Sequence, residues 1–250
     1  MCFSCVAFFL KSRKTAFIIF NLVSLVSFSQ NISIDEAWAL KDKQPEKAMK
    51  ELNLSLLKFR KSNNHQLEAK TLSYIGVIED IQGNSVRAID HLLQAIKIQE
   101  KHKFLKDLSF SYNNLGIAHF YQFNYETALV YYKKSLEIDK KRQDLKGEAG
   151  TLINIGLIYT YIDSIPKAEN NYKEALKVYT KLNDSTGLAS TLNNLAKIEM
   201  GNNNISKAIE YYHSSISYLQ NSTLIESKFT PYYGLANAYI KLNVPHKAVN

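Results

Sequence analysis

The residues best suited to redox or metal chemistry in this 250-residue sequence are two cysteines and six histidines. Cys2 and Cys5 stand at Cys-x-x-Cys spacing, which is half of a redox or metal motif. No second pair, histidine cluster or strand–helix context accompanies it, so the spacing carries no function by itself. His65, His91, His102, His119, His213 and His246 are scattered, with no His-x-x-x-His and no His-Glu-x-x-His that could hold a metal. His119 falls at a position where related segments carry Glu or Tyr, which suits packing better than ligation. The sequence also lacks a Gly-x-Ser-x-Gly elbow, a phosphate-cradling Gly-rich loop and a carboxylate pair placed for acid–base work. These absences point away from an enzyme and away from a cofactor.

Composition narrows the partner. A formal charge of +8 raises the question of nucleic acid. Lys11, Arg13 and Lys14 supply three of those charges, and the remainder alternate in sign along solvated faces, as in Lys133-Lys134…Glu137…Asp139-Lys140-Lys141. No nucleic-acid partner is expected for this segment. The basic cluster at 11–14 precedes an apolar run from Thr15 to Phe28, and Ser27-Phe28-Ser29 places small residues where a signal peptidase reads. Residues 1–29 therefore read as a signal peptide, with a start placed too far upstream explaining the apolar stretch Met1–Leu10. The expected location is exported, periplasmic or associated with the envelope. The alternative is a membrane anchor formed by the same apolar run, which is short for a bilayer span of about 20 residues. Export leaves a mature chain without cysteine, held together by packing alone.

The elements that must position any site are visible as a repeat. Ala48, Ala88, Ala128, Ala168, Ala208 and Ala248 recur every 40 residues without a slip. Gly76, Gly116, Gly156, Ala196 and Ala236 keep the same period, twelve residues ahead of their partner alanines. An aliphatic residue precedes each small one (Ile75, Leu115, Ile155, Leu195, Leu235), and a large apolar residue stands four before it (Leu72, Tyr112, Leu152, Leu192, Tyr232). Four after each Ala comes Leu52, Leu92, Tyr132, Tyr172 or Tyr212; seven after it comes Ser55, Ala95, Ser135, Ala175 or Ser215. Offsets of three, four and seven fall on one face of a helix. Each unit therefore predicts two amphipathic helices, with Gly83-Asn84, Asp163-Ser164, Gly201–Asn204 and Asn243 as breakers between them. Pro45, Pro166 and Pro245 fall at the start of the second helix, where a missing N–H costs little. The small residues mark close helix crossings. No unit can bury its apolar face alone, so neighbours must stack.

This pattern, clearest in Tyr112-Asn-Asn-Leu-Gly116…Ala128…Tyr132…Ser135 and Leu152-Ile-Asn-Ile-Gly156…Ala168…Tyr172…Ala175, resembles the tetratricopeptide repeat. The resemblance covers roughly residues 30 to 250, in a form lengthened from the family's usual unit, as in kinesin light chains and bacterial peptide-sensing regulators. It implies an all-α fold, a right-handed superhelical solenoid of antiparallel helix pairs. Units fall at about 29–68, 69–108, 109–148, 149–188, 189–228 and 229–250, the first degenerate with Glu36 in the Gly column and the last truncated. The family resemblance also implies a concave groove lined by the first helices and holding a protein or peptide. Asn114, Asn154 and Asn194 are candidates to line it, because an amide both donates and accepts and could pair with a partner's main chain. Asn113, Asn193, Phe120, Tyr121 and Tyr161 are further groove candidates. Ser73, Ile153 and Tyr233 interrupt the column that a chaperone-tail clamp would need. The expected function is a binding scaffold, as the sensory amino-terminal part of a longer bacterial signalling protein with a histidine kinase or DNA-binding output. A free-standing exported adaptor for envelope or outer-membrane complexes is the alternative. Membrane association is expected only through a missing carboxy-terminal region or an uncleaved amino terminus.

Overall fold

The computed structural model describes residues 32–220 and 225–244. The leader expected at 1–29, with Cys2 and Cys5, lies outside the described residues, as do Pro245, His246 and Ala248. The chain divides into two compact units, residues 1–55 and 56–250.

In the first unit, α1 (Ile34–Ala39) is a single short helix opened by a reciprocal cap. The Glu36 N–H donates to Ser33 Oγ at 3.2 Å while the Ser33 N–H donates to Glu36 Oε2 at 2.6 Å. This is why the Gly column is empty at Glu36: the helix starts there, and the carboxylate is needed at its mouth. α2 (Pro45–Lys61) opens on proline and buries Ala48 and Leu52 fully before passing into the second unit.

The second unit continues with α3 (His65–Ile81), α4 (Ser85–His102), α5 (Leu105–Tyr121), α6 (Tyr125–Arg142), α7 (Leu145–Tyr161), α8 (Ile165–Leu182), α9 (Ser185–Gly201), α10 (Ile205–Tyr218) and α11 (Ile225–Lys241). A residue with positive φ follows the helices from α2 to α9 at Asn63, Gly83, Lys103, Phe123, Gln143, Asp163, Asn183 and Asn203, in steps of 20, and follows α11 at Asn243. The next N–H reaches back to the carbonyl five residues earlier, as in Asn84 to Glu79 at 2.8 Å and Asp144 to Asp139 at 2.9 Å. These helices thus end in the same left-handed cap, which turns the chain back antiparallel. The 40-residue repeat is two equal halves, a subdivision that the apolar columns alone do not show.

The columns do what close packing requires. A Cβ added at Gly116 would lie 2.6 Å from the Tyr132 ring, and one at Gly156 would lie 2.6 Å from Tyr172. These glycines let the first helix of a pair rest on an aromatic side chain of the second. From α4 onward each second helix also packs onto the first helix that follows. Leu92 and Ile96 of α4 meet Leu108, Tyr112 and Leu115 of α5, and Ala128 and Tyr132 of α6 meet Ile155 and Ile158 of α7. Full burial of one such aliphatic side chain is worth roughly 1.5–3 kcal/mol, so the repeated seams hold the stack without cysteine.

Within the second unit, packing between successive helix pairs is one-sided. Successive first helices touch one another (α3 with α5, α5 with α7, α7 with α9, α9 with α11), whereas the second helices make no comparable contact among the described residues. The first helices therefore form the inner, tighter face of this unit. No helix among the described residues is long and apolar enough to cross a membrane.

Candidate functional site

The inner face carries side chains from the middle and the C-terminal turns of the first helices. Asn113 and Asn114 are half-buried on α5, Asn154 half-buried on α7, and Asn193 and Asn194 buried and half-buried on α9. Asn114 Nδ2 donates to the Phe110 carbonyl of its own helix at 2.7 Å. Asn154 Nδ2 donates across to Asn113 Oδ1 at 3.0 Å, and the Thr151 hydroxyl approaches the same oxygen at 3.5 Å. The Asn154–Asn113 pair thus ties α5 to α7, while Asn114 bonds within its own helix. Asn193 differs: it is 7% exposed and its Oδ1 has no hydrogen-bond partner. A buried amide oxygen left unpaired costs about 1–3 kcal/mol, which a bound donor would recover.

Asn193 also lines a cavity of about 380 Å³ walled by α9, α10 and α11. Ser190, Asn194 and Lys197 complete the α9 side, spaced as one helical stripe, while Ser215 and Thr230 face them from α10 and α11. The Ser215 hydroxyl donates to the Ala189 carbonyl at 2.8 Å. Lys197 is exposed and makes no ion pair among the described residues. The lining offers amides, hydroxyls and one ammonium, a set that can recognise main-chain amides and carbonyls or an anionic group. No group of three or more His, Cys, Asp or Glu side chains among the described residues could hold a metal.

The other end of the face is aromatic. Phe120 and Tyr121 end α5 and Tyr161 ends α7; Phe120 meets Tyr161 edge-on at 5.2 Å and Tyr121 at 5.5 Å. Tyr121 and Tyr161 are 67% and 60% exposed. Tyr125 stacks on Tyr161 at 5.9 Å and Phe123 meets Tyr125 edge-on. His119 stacks on Tyr131 at 5.5 Å with its Nδ1 buried and unpartnered, and burial holds its pKa below the usual histidine range. It is a neutral packing side chain.

The fold thus brings together Phe120, Tyr121 and Tyr161 in one patch and Asn113 with Asn154 in one bond, and it sets Asn193 and Asn194 in a separate cavity. Sequence reasoning passed over Ser190, Lys197, Thr230, Phe123 and Tyr125. Lys197 left a legible signal, for it follows Val77, Ile117 and Leu157 in a column that turns polar only there and at Asn237. Phe123 left none, because turn positions carry no apolar period.

Comparison with known proteins agrees with this architecture. Tetratricopeptide-repeat models match residues 109–141 and 147–221. No curated protein matches the sequence. Among solved structures, the apo form of RapI shares 19% identity with a TM-score of 0.71, over 84% of this chain and 81% of that one. The apo form of the quorum sensor NprR from B. thuringiensis shares 16% identity with a TM-score of 0.67, over 96% of this chain and 69% of that one. PH0952 from Pyrococcus horikoshii, a signal-transduction ATPase with a tetratricopeptide repeat sensor, shares 21% identity with a TM-score of 0.72. That match covers 86% of this chain but 34% of the ATPase. Identities this low speak for the fold rather than the ligand. The 40-residue columns, the paired helices and both repeat matches lead to one assignment: residues 109–141 and 147–221 are tetratricopeptide repeats.

Proposed function

We propose that the array captures a segment of a protein or peptide along the inner face of its first helices, as the exported, sensory amino-terminal part of a bacterial signalling protein. The observation that carries this reading is the polar cavity between α9 and α11, where Asn193 keeps a buried acceptor without a partner. The aromatic ends of α5 and α7 would hold apolar side chains of the same segment. Neighbours named as a quorum sensor and as a repeat sensor in a signal-transduction ATPase support the sensory role. The basic cluster and apolar run in residues 1–29 support export.

Selection of a displayed random-peptide library on the full chain, followed by fluorescence polarisation with the recovered peptides, tests the reading. Asn193→Ala combined with Asn194→Ala should weaken the recovered peptides about tenfold or more while leaving helicity unchanged. Peptides that bind the double variant as tightly as the parent would remove the cavity from the binding face. If no peptide is recovered while a folded envelope protein binds, the free-standing adaptor becomes the better reading.

A further inference from the structure

The two edges of the second unit differ in how densely they carry basic residues, although Arg87, Lys167, Lys207 and Lys241 stand on the sparser one. Adjacent helices run antiparallel, so the second helices all end on one edge and the first helices on the other. On the second-helix edge the last turns carry Lys58, Arg60 and Lys61 in α2, Lys101 and His102 in α4, Lys140, Lys141 and Arg142 in α6, and Lys181 in α8, with none in α10. Lys103 and Lys146 extend the same row through the turns.

Lysines near a helix C-terminus ordinarily complement its dipole. The first helices provide the control. Their C-termini carry the same partial charge, yet α3, α7 and α9 have no basic residue in the last turn, α5 has only His119 and α11 only Lys241. Dipole complementation therefore does not explain the asymmetry. Neither does local pairing. Glu68 is held by Arg60, Glu137 by Lys141 and Glu148 by Lys140, while Asp144 and Asp184 accept the Gly147 and Gly187 N–H groups as helix caps. Lys61, Lys101, Lys103, Lys146 and Lys181 are exposed and make no ion pair with a carboxylate among the described residues.

We infer that this edge docks on an anionic lipid surface. The turns that carry the lysines recur every 40 residues at Asn63, Lys103, Gln143 and Asn183, so they line up side by side at the spacing of packed helix pairs. A row of flexible point charges meets a diffuse negative surface well. Leu105 and Leu182, 44% and 36% exposed, stand among the lysines and give the edge apolar side chains to bury at the headgroup boundary. Single-stranded nucleic acid would call for exposed stacking platforms between the cations; the exposed Tyr121, Phe123 and Tyr161 lie on the opposite edge, while His65, His102 and Phe104 on this one are half-buried and occupied by stacking on one another. This docking is separate from peptide capture and would orient the inner face relative to the membrane.

Co-sedimentation of the full chain with phosphatidylglycerol vesicles and with phosphatidylcholine vesicles tests the inference, since residues 1–29 are common to every variant and cancel in the comparison. Each lysine near an anionic surface contributes about fivefold to partitioning. Replacing Lys61, Lys101, Lys103, Lys146 and Lys181 together with Gln should lower the preference for phosphatidylglycerol by about a hundredfold or more. Lys103→Asn alone, which places a residue favoured at positive φ, should fold at least as well and still lower it about fivefold. Val86→Ser with Ile162→Ser, on the other edge, should leave it unchanged. Added salt should abolish the preference in the parent. An equal affinity of the parent for both vesicles, or a five-lysine variant that keeps the preference, overturns the inference. So does displacement of the parent from vesicles by duplex DNA at lower charge concentration than phosphatidylglycerol, which would make nucleic acid the partner.

Discussion

Positions 99, 139, 179 and 219 are one column of the repeat, at the C-terminal end of successive second helices, and their occupants are 0%, 2%, 7% and 3% exposed. The amino-terminal pair is polar and the carboxy-terminal pair is not. Gln99 Nε2 donates to Ser73 Oγ at 3.1 Å, which in turn lies 2.7 Å from Ser111 Oγ, while Gln99 Oε1 has no partner. The Ser109 hydroxyl donates to Asp139, and Ser135 stands 3.5 Å from its other oxygen. Tyr179 instead packs among Ala149, Leu152, Ala175 and Leu188. The same backbone geometry thus accepts a hydrogen-bonded network or an apolar plug. Location in the repeat fixes burial; the residue decides whether burial stabilises or must be compensated.

The sharpest way to break this contrast is in the apolar half. Tyr179→Ala should lose about 3–5 kcal/mol, read from urea midpoints, because a filled site becomes a cavity. A loss below about 1 kcal/mol would mean that the plug is not structural. Next come the glycines that receive this column from the following first helix. A Cβ at Gly187 would lie 2.2 Å from the Tyr179 ring, whereas one at Gly147 would lie 2.7 Å from the Asp139 carboxylate. The ring cannot yield without leaving its pocket, so Gly187→Ala should cost about 1–3 kcal/mol. Gly147→Ala meets the end of a short side chain and should cost less, part of the clash being offset by alanine's helix propensity of about 1 kcal/mol. Equal losses in thermal melts would contradict the distinction.

Asp139 supplies a pH signature. Burial pushes its carboxyl above the usual aspartate range, against hydrogen bonding from Ser109 and the nearby Arg142. A raised folded-state pKa means that its contribution is fully present below the unfolded value of about 3.9 and is lost as pH rises through the folded value. Asp139→Asn should therefore be more stable than the parent at neutral pH, by about 1 kcal/mol, with the gap closing on acidification. A constant difference across that range would assign the effect elsewhere. The smallest change belongs to Gln99→Leu. It removes one hydrogen bond but also an unpaired oxygen, and stability should stay within about 1 kcal/mol of the parent; a larger loss would show that the Ser73–Ser111 pair depends on Gln99.

Apolar and small-residue columns made the helix pairs legible, since Gly116, Ala128 and Tyr132 each answer to a single packing demand. The mixed column was not legible. Gln99, Asp139, Tyr179 and Leu219 share a position but no chemistry, so periodicity passes over them. The left-handed caps hid for the same reason: Gly83, Asn183 and Asp163 suit positive φ, while Lys103 and Phe123 do not announce it. At the candidate site, Asn113, Asn154 and Asn193 could be named from their register on the first helices. Which amide would bond a neighbour and which would be left without a partner depends on cross-helix distances that no spacing encodes.

The most direct measurement is photo-crosslinking of a library-selected peptide to chains bearing benzoylphenylalanine at one position at a time. Asn194→benzoylphenylalanine on α9 should crosslink efficiently and be blocked by unlabelled peptide, while Glu174→benzoylphenylalanine, exposed on the second helix α8, should not. Crosslinking at 174 with none at 194 would place binding on the outer helices and contradict a groove lined by the first.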